Sequence, residues 1–496
     1  MTGMTGSLLV AGTTSDAGKS VLTTGLCRWL RRQGVNVAPF KAQNMSNNSM
    51  VTADGAEIGR AQWIQAVAAG AEPEAAMNPV LLKPGSDRRS HVVLMGRPYG
   101  DLDASSFAGA RTALSDAAFA AFDDLASRYD VVVCEGAGSP TEINLREHDF
   151  VNMGLAQHGN VPTVVVGDID RGGVFAAMYG TLKLMPDEDQ RLLRGFVVNK
   201  FRGDPTLLEP GLRMIEGHTE RPVLGVVPWL PGLWLDSEDA LDLEGRRAAH
   251  QEDGPVLRVA VVRFPRISNF TDLDALALEP GVDVAFVDSP TAVADADLVV
   301  LPGTRATVQD LAWLRERGLE GPLVERHRGG RPVLGICGGF QMLGQRVSDP
   351  EGVETGRPAS THGLGLLPVR TTFVADKVLG RPRGEALGHE VLGYEIHHGQ
   401  VDVRAGEPFL EGCRDGATWG TLWHGAFESD AFRRSFLVET AEAAHRTDWS
   451  PGASTPFADR REARIEALAD AVDAHLDTGR LMEIIAEGGT GSTGGP

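Results

Sequence analysis

Two junctions constrain this chain more than anything in its bulk composition: "SLLVAGTTSDAGKS" (7–20) and "RPVLGICGGFQMLG" (331–344). In each, an apolar run of strand length meets a glycine-containing turn, and a helical pattern follows at once. A strand that feeds straight into a helix belongs to parallel α/β architecture, because parallel neighbours need a crossover between them. The junctions lie in opposite halves of a 496-residue chain, which is too long for one core. Two α/β domains are expected.

The runs between the junctions support that division. "SLLVAG" precedes a helix over 19–33, with apolar spacing at Val21, Leu22, Leu26 and Leu30. The strands "VNVAPFKA", "DVVVCEG", "VPTVVVGD", "LRGFVVNKF" and "RPVLGVVPWL" follow. Short β-branched runs alternating with helical stretches predict a doubly wound, mainly parallel sheet covered on both faces. The polar stretch "DSEDALDLEGRRAAHQEDGP" then breaks the pattern. This divides the chain into a first domain over 1–236, a linker over 237–254 and a second α/β domain over 255–450. The second contains "VLRVAVVRF", "VDVAFVD", "ADLVVLPG", "RPVLGIC", "GLGLLPV" and "VLGYEIHHGQV". A C-terminal helical segment over 451–488 and a disordered low-complexity tail over 489–496 complete it.

Composition excludes several classes of function. The formal charge of −20, from 47 basic and 67 acidic residues, repels nucleic acid and anionic membranes. An anionic ligand must therefore meet local cations, for which Lys83, Arg88, Arg89, Arg146, Arg171, Lys200 and Arg202 are candidates. No apolar run is long enough to span a membrane, and the N-terminus lacks the basic flank of a signal peptide. A cytoplasmic location is expected. The four cysteines show no C-x-x-C spacing, so neither a zinc site nor a disulfide framework is signalled.

"GTTSDAGKS" (12–20) has the order of a phosphate-binding loop: strand, glycine loop, Gly-Lys-Ser, helix. Consecutive loop amides backed by a helix N-terminus suit a polyphosphate. Gly12, Thr13, Asp16, Ala17, Gly18, Lys19 and Ser20 are thus candidate nucleotide contacts, with Lys19 on the β/γ-phosphates and Ser20 on a magnesium ion. Five residues, not the usual four, separate Gly12 from Gly18.

"GICGG" (335–339) has the form of a nucleophile elbow with cysteine in place of serine. Glycines permit the sharp turn, and a thiol at a helix N-terminus is favoured as the nucleophilic thiolate. The Gly338 amide is one candidate oxyanion donor, and Gly303 and Thr304 of "LPGTRAT" could supply a second. A thiolate nucleophile needs a base, for which His424 in "GTLWHGAFES" competes with His397 and His398 in "GYEIHHG".

These motifs resemble known families. The longer phosphate loop and "CEGAG" (134–138) resemble the dethiobiotin synthetase branch of P-loop enzymes, which makes acyl phosphates from carboxylates. That likeness implies Glu135 as a second metal ligand, Asp54 of "TADGAEIGRAQ" as a third, Lys41 as a second phosphate lysine and Asn199 as an adenine-reading residue. "GICGGFQMLG" with a downstream "WHGAF" resembles the flavodoxin-like class I glutamine amidotransferases, and points to His424 as the base of Cys337. The usual His-x-Glu is absent because residue 426 is alanine. Glu428 or Glu395 could orient His424, or the pair could act as a dyad.

Four further stretches resemble the cobyric acid synthase family across nearly the whole chain: "FKAQNMSNNS", "EIGRAQ", "VGDIDRGGVFA" and "FPRISNFTDLDAL". The resemblance implies ATP- and L-glutamine-dependent amidation of the b, d, e and g carboxylates of adenosylcobyrinic acid a,c-diamide to cobyric acid, in cobalamin biosynthesis. ATP and Mg2+ would be the cofactors, and the corrin cobalt would arrive with the substrate. The alternative within the same branch is cobyrinic acid a,c-diamide synthase. From another class, a partitioning ATPase with a degenerate second domain would usually carry an extra lysine early in the loop, and "GTTSDAGKS" has none.

Overall fold

A computed structural model describes residues 4–85, 89–232 and 254–488, excepting the side chains of 89 and 103–108. The expected linker up to residue 253, the tail over 489–496 and Arg88 lie outside the described residues.

The first sheet has six strands in the order Val223–Pro228, Leu193–Phe201, Thr163–Asp168, Gly6–Gly12, Val131–Glu135 and Val37–Phe40. Every pairing is parallel. Leu8, Leu9, Val10 and Ala11 are wholly buried, as are Val131, Val132 and Val133, because helices cover both faces of the sheet. The first strand sits centrally, with later strands on either side. Such a switch in strand order opens a crevice at the carboxyl ends of the strands, and the loop over 12–20 lies there.

The second sheet runs Val282–Val287, Leu257–Val262, Leu298–Leu301, Val333–Ile336, Thr418–Thr421, Gly412–Asp415 and Glu407–Pro408. Its first five strands are parallel and the last two antiparallel. The Val333–Ile336 strand lies mid-sheet and ends at Cys337.

Smaller sheets of mixed parallel and antiparallel pairing extend both units beyond the sequence reading. Gln43–Met45, Val80–Pro84, Arg89–Leu94 and Arg97–Asp103 form a separate sheet in the first half. Arg346–Asp349, Ala359–His362, Val369–Gly380 and Glu395–Val403 form another in the second. "GLGLLPV" is not a strand until Val369. Its apolar residues instead wrap the end of the Gly338–Leu343 helix, with Leu364 donating to the Met342 carbonyl and Leu366 to that of Leu343. "VLGYEIHHGQV" is likewise split, between His389–Leu392 and Glu395–Val403.

The C-terminal helices return to the first unit. Phe457–His475 packs along Lys19–Arg32, with Arg28 bound to Glu462 and Glu466, and Trp29 Nε1 donating to Asp473 at 3.1 Å. The chain breaks helix at Leu476, where the Asp477 amide donates to the Leu224 carbonyl at 2.7 Å. Thr478–Glu487 then covers the first sheet through Leu481, Ile484 and Ile485.

Candidate functional site

The elbow is built as its glycines require. Cys337 adopts φ 51°, ψ −111°, a left-handed backbone that costs a side-chain-bearing residue strain. A Cβ on Gly339 would stand 1.9 Å from the Leu301 carbonyl oxygen, so only glycine lets the helix start this close to the neighbouring strand. Cys337 is 6% exposed.

His424 stands beside it, close enough for a thiolate charge on Cys337 to raise its pKa. Its Nδ1 donates to Asp272 Oδ2 at 2.7 Å on the other side. The second Asp272 oxygen accepts from the Gly425 amide at 2.8 Å, so the carboxylate is held at both ends. Burial alone would lower the basicity of His424. The charges of Asp272 and of a Cys337 thiolate outweigh burial and raise its pKa to about 10. Cysteine, histidine and a buried carboxylate can together generate a thiolate and return a proton to a leaving group.

Asp272 is the residue the sequence reading missed, and it replaces both expected carboxylates. Glu428 is held by Arg60 at 2.9 Å and by Arg461 at 2.9 and 3.1 Å. Glu395 lies 4.0 Å from His397, and burial raises its pKa. The signal was present, since Asp272 falls inside "FPRISNFTDLDAL". What spacing could not reveal is that a turn 152 residues upstream closes on His424. His397 is turned to the Gly399 carbonyl and His398 to that of Val374, at 3.0 and 3.2 Å. Burial holds both at a pKa of about 4.

The oxyanion candidates converge on the elbow. Ser268 donates to the Gly303 carbonyl and Arg305 to that of Arg266, at 2.8 and 2.9 Å, so the Ile267–Thr304 pair between them is not itself hydrogen-bonded. The Thr304 amide therefore points away from Ile267. It lies 3.1 Å from where a Gly338 Cβ would stand, and a Gly303 Cβ would stand 2.9 Å from the His424 ring.

In the first unit, Gly18 turns the phosphate loop into its helix at φ 95°. Lys19 Nζ donates to the carbonyls of Thr14, Ser15 and Gly138 at 2.9, 2.9 and 3.2 Å, which folds the ammonium over the loop. Ser20 Oγ donates to Glu135 Oε1 at 2.7 Å, and Lys41 Nζ meets the same oxygen at 2.9 Å. Gln65 Nε2 donates to Glu135 Oε2 at 2.6 Å. Burial would raise the Glu135 pKa, but Lys41 beside it leaves a net lowering, so the carboxylate is charged. A hydroxyl beside one buried carboxylate is the donor set that magnesium uses when phosphates and water supply the rest. Among the described residues no three His, Cys, Asp or Glu side chains cluster to hold a metal on their own.

Two expectations take a different form. Asn199 Nδ2 donates to the Ala17 carbonyl at 2.8 Å and so braces the loop from below. Asp54 is exposed in the turn of a hairpin and accepts from Thr52 Oγ1, and its contacts do not join it to Ser20 and Glu135. The candidate cations are largely neutralised. Arg146 pairs with Asp189 at 2.5 Å, Arg171 with Asp16 at 2.9 Å, Lys200 with Asp168 at 2.9 Å and Arg202 with Asp170 at 3.0 Å. Lys83 meets Glu57 at 2.6 Å.

Comparison with known proteins places this geometry. Residues 8–241 match the CobQ/CobB/MinD/ParA nucleotide binding domain, and 258–432 the CobB/CobQ-like glutamine amidotransferase domain. The cobyric acid synthase of Mycolicibacterium vanbaalenii is 61% identical over 485 residues, 97% of this chain and 96% of that one. The chain belongs to the cobyric acid synthase family. Its likeness to members from Mycobacterium marinum and Mycobacterium tuberculosis is as extensive, at 61% and 60% identity over 97% of both chains in each pair. A solved glutamine amidotransferase aligns with 38% of this chain and 98% of its own at 18% identity and a TM-score of 0.28, too weak a likeness to carry an argument. Among the described residues of this family member, no helix is long and apolar enough to cross a membrane.

Proposed function

We propose that the chain converts adenosylcobyrinic acid a,c-diamide to cobyric acid by amidating its b, d, e and g carboxylates, with ATP and glutamine consumed at each. As a cobyric acid synthase family member with a glutamine amidotransferase domain, it is a glutamine-dependent amidating ligase. The observation that carries the reading is the Cys337–His424–Asp272 arrangement in one chain with the Lys19–Ser20–Glu135 loop. Such a pairing suits release of ammonia in one place and its use in another.

In the glutaminase unit, over 255–450, Cys337 Sγ attacks the side-chain amide carbon of glutamine. The carbonyl electron pair moves onto oxygen, where the Gly338 and Thr304 amides receive it. His424, held as imidazolium by Asp272, protonates the departing nitrogen. Ammonia leaves, and a γ-glutamyl thioester remains. Water, losing its proton to His424, then adds to the thioester carbon, and glutamate departs from the sulfur.

The unit over 1–236, with the helical segment over 451–488 against it, activates the acceptor. A corrin carboxylate oxygen bonds to the γ-phosphorus of ATP, ADP leaves, and the acyl phosphate is attacked by ammonia with loss of phosphate. Lys19 offsets charge on the transferred phosphoryl group. Ser20 and Glu135 would hold magnesium, which supplies charge neutralisation when bound. Lys41 keeps Glu135 ionised. Asn199 fixes the loop, and Asp54 would reach the metal only after movement of its hairpin.

The test is mass gain on the a,c-diamide with ATP and glutamine. Lys19→Ala is expected to stop amidation with glutamine and with ammonium alike, because activation precedes both, while glutamate release persists. Unimpaired amidation by Lys19→Ala would overturn the assignment of this loop. Mass gain on cobyrinic acid itself, and none on its a,c-diamide, would favour the diamide synthase.

A further inference from the structure

The pocket beside Cys337 is partly open to solvent and has a cationic wall drawn from both halves of the chain. Lys83 comes from the first half, and Arg305 and Lys377 from the second. Two of these charges are already answered, since Glu57 binds both Lys83 and Lys377. His397 and His398 also line the pocket, and burial keeps them neutral at physiological pH.

Arg305 differs. It follows Thr304 directly in the loop beside the elbow, and its backbone is fixed by donation to the Arg266 carbonyl at 2.9 Å. Its side chain is half-buried in this pocket and, among the described residues, makes no side-chain hydrogen bond or ion pair. The carboxylate nearest in influence, Glu354, has both oxygens occupied by the amides of Thr307 and Val308, at 2.7 and 2.8 Å. A half-buried guanidinium at a pocket wall, with no side-chain partner among the described residues, favours an anion. Glutamine brings one: its α-carboxylate, at the far end of the molecule from the amide that Cys337 attacks.

We propose that Arg305 receives the α-carboxylate of glutamine and so selects the free amino acid over amide-bearing compounds without that charge. The inference rests on the glutaminase reading of Cys337 and deepens it. It also gives a reason for Glu57 to be shared between two lysines: one carboxylate against two ammonium groups leaves the wall net positive behind the guanidinium.

The test compares L-glutamine with L-glutamine α-amide as substrates for ammonia release. The wild-type chain is expected to favour L-glutamine by about 10- to 100-fold in kcat/KM, the usual worth of a charged hydrogen-bonded contact. Arg305→Gln should lose that factor for L-glutamine, mainly through KM, while the α-amide is turned over much as before. Arg305→Lys should recover part of the preference. Amidation with ammonium salts should be unaffected, which shows the variants to be folded. Equal losses on both substrates would mean that Arg305 only props the oxyanion loop, and a wild-type chain indifferent to the α-carboxylate would overturn the proposal without any variant. Absence of ammonia release from either substrate by the wild-type chain would instead be a failure of the glutaminase reading.

Discussion

His424 and Asp272 lie 152 residues apart, yet each is nearly completed by the other: a ring nitrogen and both carboxylate oxygens are satisfied inside a buried turn. Replacing Asp272 by Asn keeps the shape but removes the charge. The expected result is a loss of glutaminase kcat of about 10²- to 10⁴-fold, with ammonium-dependent amidation retained. Cys337→Ala should show the same split in full. The pH dependence follows from the sign of the His424 shift. Its pKa is raised from 6.5 to about 10, so the stability gained from the protonated pair is complete below pH 6.5 and is lost as pH rises toward 10. The alkaline limb of the glutaminase profile should therefore lie well above neutrality in the wild type. In Asp272→Asn it should move to lower pH, and an unmoved limb would show that Asp272 does not set the basicity of His424.

At the scale of elements, the elbow depends on how closely a helix can approach the next strand. A methyl group on Gly339 would meet a backbone carbonyl, which cannot swing aside as a side chain could. Gly339→Ala is expected to cost about 3 kcal/mol or more and to displace Cys337 from His424. Thermal unfolding and alkylation of Cys337 would read the two effects separately. The elbow was legible in the sequence because its requirements are local: a strand, a left-handed residue and small neighbours within five positions. The phosphate loop was legible for the same reason. The smaller mixed sheets were not, since short polar strands such as Gln43–Met45 and Ala359–His362 acquire their pairing from other segments and lack a periodicity of their own.

Across the whole molecule, the two halves meet through buried charge. Glu57 is wholly buried and faces Lys83 on its own side and Lys377 on the other. Burial would raise its pKa, and the two lysines instead hold it well below the ordinary carboxylate range. The stability it supplies is thus present above that range and lost as pH falls through its lowered pKa. Glu57→Gln leaves two buried ammonium groups without a counter-charge and should destabilise the chain by about 3–5 kcal/mol, read as a lowered unfolding midpoint at neutral pH. A change under 1 kcal/mol would mean that water reaches the site. The same contact zone carries the Ser49 amide, which donates to Asn269 at 2.9 Å, three residues before Asp272. The turn that carries Asp272 is thereby tied to the half that matches the nucleotide binding domain.

The sequence by itself determined the parallel strand–turn–helix units, the glycine elbow that carries Cys337 and the loop around Lys19, because the residues that define each feature are neighbours along the chain. Only the tertiary structure decided that Asp272, not Glu428 or Glu395, stands behind His424. It also decided that the C-terminal helices close over the first sheet, and that among the described residues Arg305 has no side-chain partner where Lys83 and Lys377 have Glu57. Each of these is a question of which buried charge lies next to which. Coulomb attraction and desolvation depend on distances through space, and separation along the chain does not encode those distances.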